Sequence, residues 1–177
     1  MIAIRRARFV DAPGIAAVHV ATWRSAYATL LPDSYLASLS VTRLALYYEQ
    51  VIHAGRGLHV AAAYGRAAQP KILGFALARR RLAAELGDGE VEMLYVLDDY
   101  RDQGLGGRLL RAAARYLAQL GCRSAYAWVL SDNPACYFYE RLGGKRIATS
   151  TVLVAEADIP QTAFAWDPIG TLLDVNA

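Results

Sequence analysis

The sequence predicts a single α/β domain, and three observations carry that prediction. Strand-like and helix-like apolar periodicities alternate along the chain. Its 177 residues suit one compact domain that can bury a real core. No linker or internal repeat interrupts the alternation. The stretch "IAIRRARF" reads as a first strand. "VDAPGIAAVHVATWRSAY" reads as a helix with Asp11 as N-cap, Pro13 in its first turn and apolar positions at Ile15, Val18, Ala21 and Trp23. "LLPDSYLASLSVTRLALYYEQVI" adds helical signals around Pro32 and Ser40, the second carrying Leu44, Tyr47, Tyr48 and Val51. "GLHVAAAYG" and "KILGFALARRR", joined by the turn "GRAAQP", form an expected antiparallel hairpin. The strand "GEVEMLYVL" follows the turn "ELGDG". A glycine turn then opens a helix reaching about Leu120, with a buried face of Leu109, Leu110, Ala113, Leu117 and Leu120. Strand "CRSAYAWVL", short helix "PACYFYERL" and strands near "KRIATSTVLV" and "TAFAWD" complete an order of β, α, α, β, β, β, α, β, α, β, β.

Composition excludes several classes. Hydrophobic residues make up 55% and charged residues 20%, too apolar for disorder and too interrupted for a membrane protein. No stretch approaches the roughly 18 uninterrupted apolar residues of a transmembrane helix, and the N-terminal "MIAIRRARFVD" has charges where a signal peptide is apolar. A cytoplasmic location with no membrane partner is the expectation. Cys122 and Cys136 have neither zinc-ligand spacing nor the density of a disulfide scaffold, so both read as buried thiols. A net charge of +3 and no basic block interleaved with aromatics argue against nucleic acid and for a phosphate-bearing small ligand.

"YRDQGLGGRLLRAAARYL", residues 100–117, supplies the reason for that ligand. A helix N-terminus presents unpaired N–H groups and partial positive charge, and glycines before it remove side chains that would block an anion. Gly104, Gly106 and Gly107 sit there, bracketed by Arg101 and Arg108. A P-loop would need a Gly-Lys-Ser/Thr ending, which "GLGGRL" lacks. The dinucleotide fingerprint would need glycine where Leu109 stands and should follow the first strand of a βαβ unit.

Arg101-Asp102-Gln103-Gly104-Leu105-Gly106 fits the Arg/Gln-x-x-Gly-x-Gly/Ala motif of the GCN5-related N-acetyltransferases, and the chain resembles that family. "EMLYVLDDY" looks like the strand before that motif. "WVLSDNPACYFYERLGGKRI" looks like the family's second signature, with Asn133, Ala135, Phe138, Tyr139, Leu142 and Gly143 in order. The resemblance covers residues 58–150 well, and "HVATWRSAYATLLPDSYLASLSV" more loosely resembles the helical pair of one bacterial branch. It implies a mixed twisted sheet of six to seven strands with helices on both faces. The implied layout is an N-terminal strand with acceptor-side helices over 1–57, a cofactor core over 58–150 and a C-terminal strand and tail over 151–177.

What the resemblance implies functionally is acetyl transfer from acetyl-CoA to a primary amine by direct attack, with no metal. Leu94, Tyr95 and Val96 would pair through their backbone with the pantetheine arm, and the amides from Gln103 to Arg108 would hold the pyrophosphate. Asp102 replaces the commoner glycine, and an acid there is mildly unfavourable beside a pyrophosphate. Glu92 is the implied base that deprotonates the amine; its competing reading is an ion pair or a solvent-facing strand position, and Glu90 is the next choice. Tyr139 is the implied acid near the CoA sulfur, against a reading as a core aromatic. Asn133 reads as a helix cap, a contact to the cofactor arm, or both.

Other features read as structural. Arg79-Arg80-Arg81 is a solvated strand end, with attraction of an acidic substrate or the CoA 3′-phosphate as the alternative. His19, His53 and His59 show no ligand-like partners, so no metal site is expected. Aromatics crowd the first third, and Trp23 and Tyr27, at i and i+4, are the candidate wall of the acceptor pocket. The acceptor is a small-molecule amine or a peptide or protein amine. Homodimers are common in the family, though no dimer-specific signal appears. The alternative function is a non-enzymatic acyl-CoA-binding or regulatory module, which would keep the Gly104 turn without needing Glu92 or Tyr139.

Overall fold

The computed structural model describes residues 1–66, 68–81 and 85–173. It shows one seven-stranded sheet in the order β1-β2-β3-β4-β5-β7-β6. The strands are β1 (Ile2–Arg6), β2 (Gly57–Ala63), β3 (Lys71–Arg80), β4 (Gly89–Val96), β5 (Ala125–Leu130), β6 (Lys145–Val154) and β7 (Ala157–Trp166). The helices are α1 (Ala12–Ala26), α2 (Asp33–Ser38), α3 (Val41–His53), α4 (Leu105–Gln119), α5 (Ala135–Arg141) and α6 (Gly170–Leu173). Every neighbouring pair is antiparallel except β4 and β5, which are parallel. The expected hairpin of β2 and β3 is present, pairing Gly57 with Ala78 through Ala63 with Lys71; within its turn, Ala67 lies outside the described residues.

Two apolar layers sandwich the sheet. On one face α4 packs Leu105, Leu109, Leu110, Ala113, Ala114 and Leu117 against Ala76, Ala78, Ala125 and Ala127. Alanines on the strands bring the helix backbone close, and leucines on the helix fill the space, each fully buried leucine contributing about 1.5–3 kcal/mol. The other face carries α1 and α3, whose Ile15, Val18, Tyr48 and Val51 meet Leu58, Val60, Phe75 and Leu77. Both faces of β3 are therefore covered, which is why Ile72 to Ala78 form one continuous buried run.

Several local expectations change. The first third holds three helices where the expected order allows two, because the Pro32 and Ser40 signals start separate helices; Ser40 Oγ caps α3 by accepting from the Arg43 N–H at 3.3 Å. A short helix, α6, follows β7, and tail residues 174–177 lie outside the described residues. Asp11 does not cap α1. Its carboxylate accepts from the Arg8 N–H at 2.7 Å and pairs with the Arg5 guanidinium at 2.7 Å, so a two-sided ion pair outcompetes the helix end. Ala21 and Leu120 turn outward; the buried stripe of α1 runs instead through Ile15, Val18, His19 and Thr22. Cys122 and Cys136 are buried free thiols, as expected.

Candidate active site

Strands β4 and β5 begin together and then part. Their pairing is confined to Gly89 with Ala125 and Glu90 with Tyr126. Beyond that, β4 follows β3 as far as Val96 opposite Gly74, while β5 follows β7 as far as Leu130 opposite Gln161. The wedge between them leaves the β5-facing edge of Leu94, Tyr95 and Val96 without a strand partner, and all three are half-buried. An extended, amide-bearing ligand can add itself to such an edge as a strand.

On its other edge, against β3, the same strand carries a β-bulge. Leu77 pairs with Met93 and Ala78 with Val91, so Glu92 has no residue opposite it. A bulge re-aims the side chain it displaces. Glu92 is directed into a charged group made with Arg56, Arg79, Glu90 and Arg81. Arg79 Nε lies 2.8 Å from Glu92 Oε1, Arg56 Nη1 lies 3.9 Å from Glu92 Oε2, and Arg81 Nε lies 2.6 Å from Glu90 Oε2. The arginine run at 79–81 is therefore not simply a solvated strand end, because Arg79 and Arg81 reach across to β4. Glu92 Oε2 itself is buried and accepts no hydrogen bond. Burial is the largest influence on this carboxyl and raises its pKa; Arg79 opposes it, Glu90 adds to it, and Arg56 and Arg81 oppose it further.

At the far end of the wedge stands the glycine turn. Gly104 has φ +73°, and the next residue starts α4. The Arg108 N–H donates to the Gly104 carbonyl at 3.1 Å, so it is used by the helix and is not available to an anion. The amides of Leu105, Gly106 and Gly107 have no intrahelical acceptor, because the carbonyls four residues back lie before the helix. A Cβ on Gly104 would meet nothing within 4 Å, so the turn is open at that residue. Gly106 serves packing: its Cβ would stand 3.1 Å from the Phe138 ring of α5. The charged side chains of the motif are used locally. Arg101 pairs with Asp98 at 2.7 Å, Gln103 Nε2 donates to the Asp99 carbonyl at 3.2 Å, and Arg108 donates to the Ile2 carbonyl at 3.3 Å. Each of these contacts occupies one donor of its side chain, whereas the backbone amides of Leu105 to Gly107 have no intrahelical acceptor.

Asp102 explains its own oddity. Its φ of +57° is the left-handed region where glycine is comfortable and aspartate is tolerated. The commoner glycine at this position thus answers a backbone demand that Asp102 meets at some strain.

Between wedge and turn, phenols converge. Tyr139 is 6% exposed on α5, stacked on Phe164 with ring centres 5.7 Å apart and edge-on to Trp166 at 5.8 Å. Burial raises its pKa, with smaller contributions from the nearby Tyr27 phenol and Cys136, so it keeps its proton at neutral pH. Tyr95 is likewise raised, first by burial and then by Tyr27. The Tyr27 hydroxyl interacts with the Asn133 side chain, and Asn133 Oδ1 accepts the Ala135 N–H at 2.9 Å, a capping turn into α5. Trp23 packs edge-on against Tyr27 at 4.9 Å, beside Tyr35, Leu130 and Ile159. The fold therefore gathers Trp23, Tyr27, Tyr95, Asn133 and Tyr139 at one place, with Glu92 three residues back along β4 in its own charged setting.

One member of this group was not among the expected residues. His19 lies in the stripe His19, Trp23, Tyr27, spaced i, i+4, i+8, and that spacing was the available signal. It is 7% exposed, with ring centres 5.3 Å from Tyr95 and 5.4 Å from Trp23. His19 Nδ1 lies 2.6 Å from Tyr48 Oη, and Tyr48 donates onward to Met93 Sδ at 3.4 Å. Burial lowers its pKa to about 4. The unfolded chain then binds a proton that the folded chain refuses between about pH 6.5 and 4, so stability falls as pH drops through that window. The loss reaches about 3 kcal/mol at its lower end. Urea unfolding from pH 7 to 4 is expected to show this slope in the native chain and a shallower one in His19→Gln.

Among the described residues no group of three or more His, Cys, Asp or Glu could hold a metal ion, and no helix is long and apolar enough to cross a membrane.

The chain is similar to known acetyltransferases. The sequence model described as the acetyltransferase (GNAT) family matches residues 22–144. Over 173 residues the chain is 30% identical to the uncharacterized N-acetyltransferase YuaI of Bacillus subtilis, covering 97% of this chain and 96% of that protein. A GCN5-related N-acetyltransferase structure from Rhodopseudomonas palustris superposes with TM-score 0.70 at 21% identity, covering 93% and 94% of the two chains. The putative acetyltransferase yncA of Salmonella typhimurium, solved with acetyl-CoA, superposes with TM-score 0.69 at 18% identity, covering 100% and 96%. At these identities the two structures share the fold.

Proposed function

The chain belongs to the acetyltransferase (GNAT) family, and from that premise we propose that it transfers the acetyl group of acetyl-CoA to a primary amine by direct attack, with Glu92 as base and Tyr139 as acid. The observation that carries the reading is the parting of β4 from β5 directly upstream of unpaired helix amides. The wedge suits an amide-bearing arm, and the α4 N-terminus suits a pyrophosphate. Leu94, Tyr95 and Val96 would hold the arm, and Gln103 to Gly107 the phosphates, with Asn133 beside the arm in the turn before α5. Acetyl-CoA supplies an activated acyl group with a thiolate leaving group.

The chain's own residues then have distinct tasks. Glu92 Oε2, buried and without a donor, offers an acceptor to an incoming ammonium and takes its proton, directly or through water. Its raised pKa makes it a stronger base than an exposed glutamate, while the Arg79 guanidinium favours its ionised form. Tyr139 Oη holds its proton through the neutral range and can deliver it to the departing sulfur. Trp23 and Tyr27 form an aromatic wall for the apolar part of the acceptor. Neither a small-molecule nor a peptide amine is favoured by these residues alone.

The test is calorimetric titration of acetyl-CoA into the protein, followed by free-thiol release against a panel of small amines and N-terminal peptides. Saturable binding with amine-dependent thiol release is the expected result. Binding without release for any amine would leave a binding module in place of the enzyme, and no binding would overturn the whole reading. Asp102→Gly, which relieves the left-handed strain and removes a negative charge near the phosphate position, is expected to bind acetyl-CoA a few-fold more tightly with stability changed by less than about 1 kcal/mol.

A further inference from the structure

The side of α4 that faces β1 and β2 carries positive charge that acetyl transfer does not use. Arg6, Arg108, Arg111 and Arg115 line a groove of about 570 Å³ together with His59 and Tyr116, and among the described residues no aspartate or glutamate lines it. Arg108, Arg111 and Arg115 follow one another at i, i+3 and i+7 on one helix face, a spacing at which like charges repel. A groove walled by low-dielectric protein concentrates that field.

The arginines are also held in place. Arg6 Nη2 donates to the Gly55 and Arg56 carbonyls, both at 3.1 Å, and its guanidinium sits 5.0 Å from the centre of the Tyr116 ring. Arg108 Nη2 donates to the Ile2 carbonyl at 3.3 Å. Each guanidinium has five N–H donors, so these anchors leave others for a ligand. His59, 8% exposed, lies beneath the same groove, and its Nδ1 is buried away from solvent.

We propose that this groove binds a small ligand bearing two or more linked phosphoryl groups, held by Arg6, Arg108, Arg111 and Arg115. Planar guanidiniums match phosphoryl oxygens in pairs. Arg108 to Arg115 span about 10 Å of helix at 1.5 Å per residue, so one carboxylate would satisfy a single arginine and a chain of phosphoryl groups several. The volume lies in the usual range for small-ligand pockets, about 300–1,000 Å³. The site is separate from the α4 amides, which open at the helix end; the groove runs along its side.

The experiment uses inorganic tripolyphosphate as the probe, titrated calorimetrically into the full chain at constant ionic strength, with and without saturating acetyl-CoA. The expected result is one saturable site whose affinity is unchanged by acetyl-CoA. In Arg111→Gln/Arg115→Gln it weakens at least ten-fold, while acetyl-CoA affinity and thermal midpoint stay as in the native chain. No saturable binding overturns the proposal, as does equal affinity in the double variant. Displacement of tripolyphosphate by acetyl-CoA overturns it too, because the groove would then belong to the cofactor site.

Discussion

Glu92→Gln is expected to lower kcat/KM for acetyl transfer by about 10²- to 10⁴-fold, the usual range for a lost general base, with acetyl-CoA affinity close to that of the native chain. The glutamine is isosteric and keeps the bulge, so binding at the β4 edge should survive. What it cannot do is accept the proton. Because Glu92 is also paired with Arg79, the loss could instead reflect a disturbed ion group, and Arg79→Gln separates the two. Removing that guanidinium takes away the main influence lowering the Glu92 pKa, so the carboxylate protonates at higher pH. Activity should then begin to fall at a higher pH than in the native chain as the solution is acidified. An ion pair with only a structural role would lower stability in both variants and leave the acid limb of the pH profile where it was.

The second large effect is expected at Gly104. Gly104→Val should abolish measurable acetyl-CoA binding, and Gly104→Asn should weaken it by about 10- to 100-fold, equivalent to one charge-assisted hydrogen bond at about 1.5–3 kcal/mol. Two effects meet here. The φ of +73° is costly for valine, by about 1–3 kcal/mol, whereas asparagine adopts it readily. Both side chains, however, add bulk at the turn that directly precedes the amides of Leu105 to Gly107. If Gly104→Asn remains folded by circular dichroism and loses binding, phosphate approach is the requirement. Native affinity in Gly104→Asn would mean that the glycine serves only the backbone angle, and that the phosphates lie elsewhere.

Much of this architecture was legible in the residues because it depends on local physics. Alternating periodicities separate strands from helices, and the glycines before an amphipathic helix announce an anion site. Order and spacing of two signatures then point to a family, and the sheet, the wedge and the α4 turn agree with that reading. Where a capping rule failed, a charged partner won. Asp11 was expected to cap a helix and instead joins Arg5 across the start of the chain. Arg101 and Arg108, offered by the sequence as added phosphate contacts, each spend a donor inside the chain, on Asp98 and on the Ile2 carbonyl.

By itself, the sequence determined the succession of elements, the glycine turn at the mouth of α4 and the identity of the residues that can carry acid and base chemistry, because each is set by neighbours a few positions away. Only the tertiary structure decided which of them meet. The Glu92 bulge arises from a register slip against β3, its arginine partners come from β3 and the end of α3, and the cluster of His19, Tyr27, Tyr95 and Tyr139 joins α1, β4 and α5. The same holds for the groove of Arg6, His59 and Arg115, which assembles β1, β2 and α4. No periodicity encodes such meetings, since they depend on how the sheet is ordered and where β4 leaves β5.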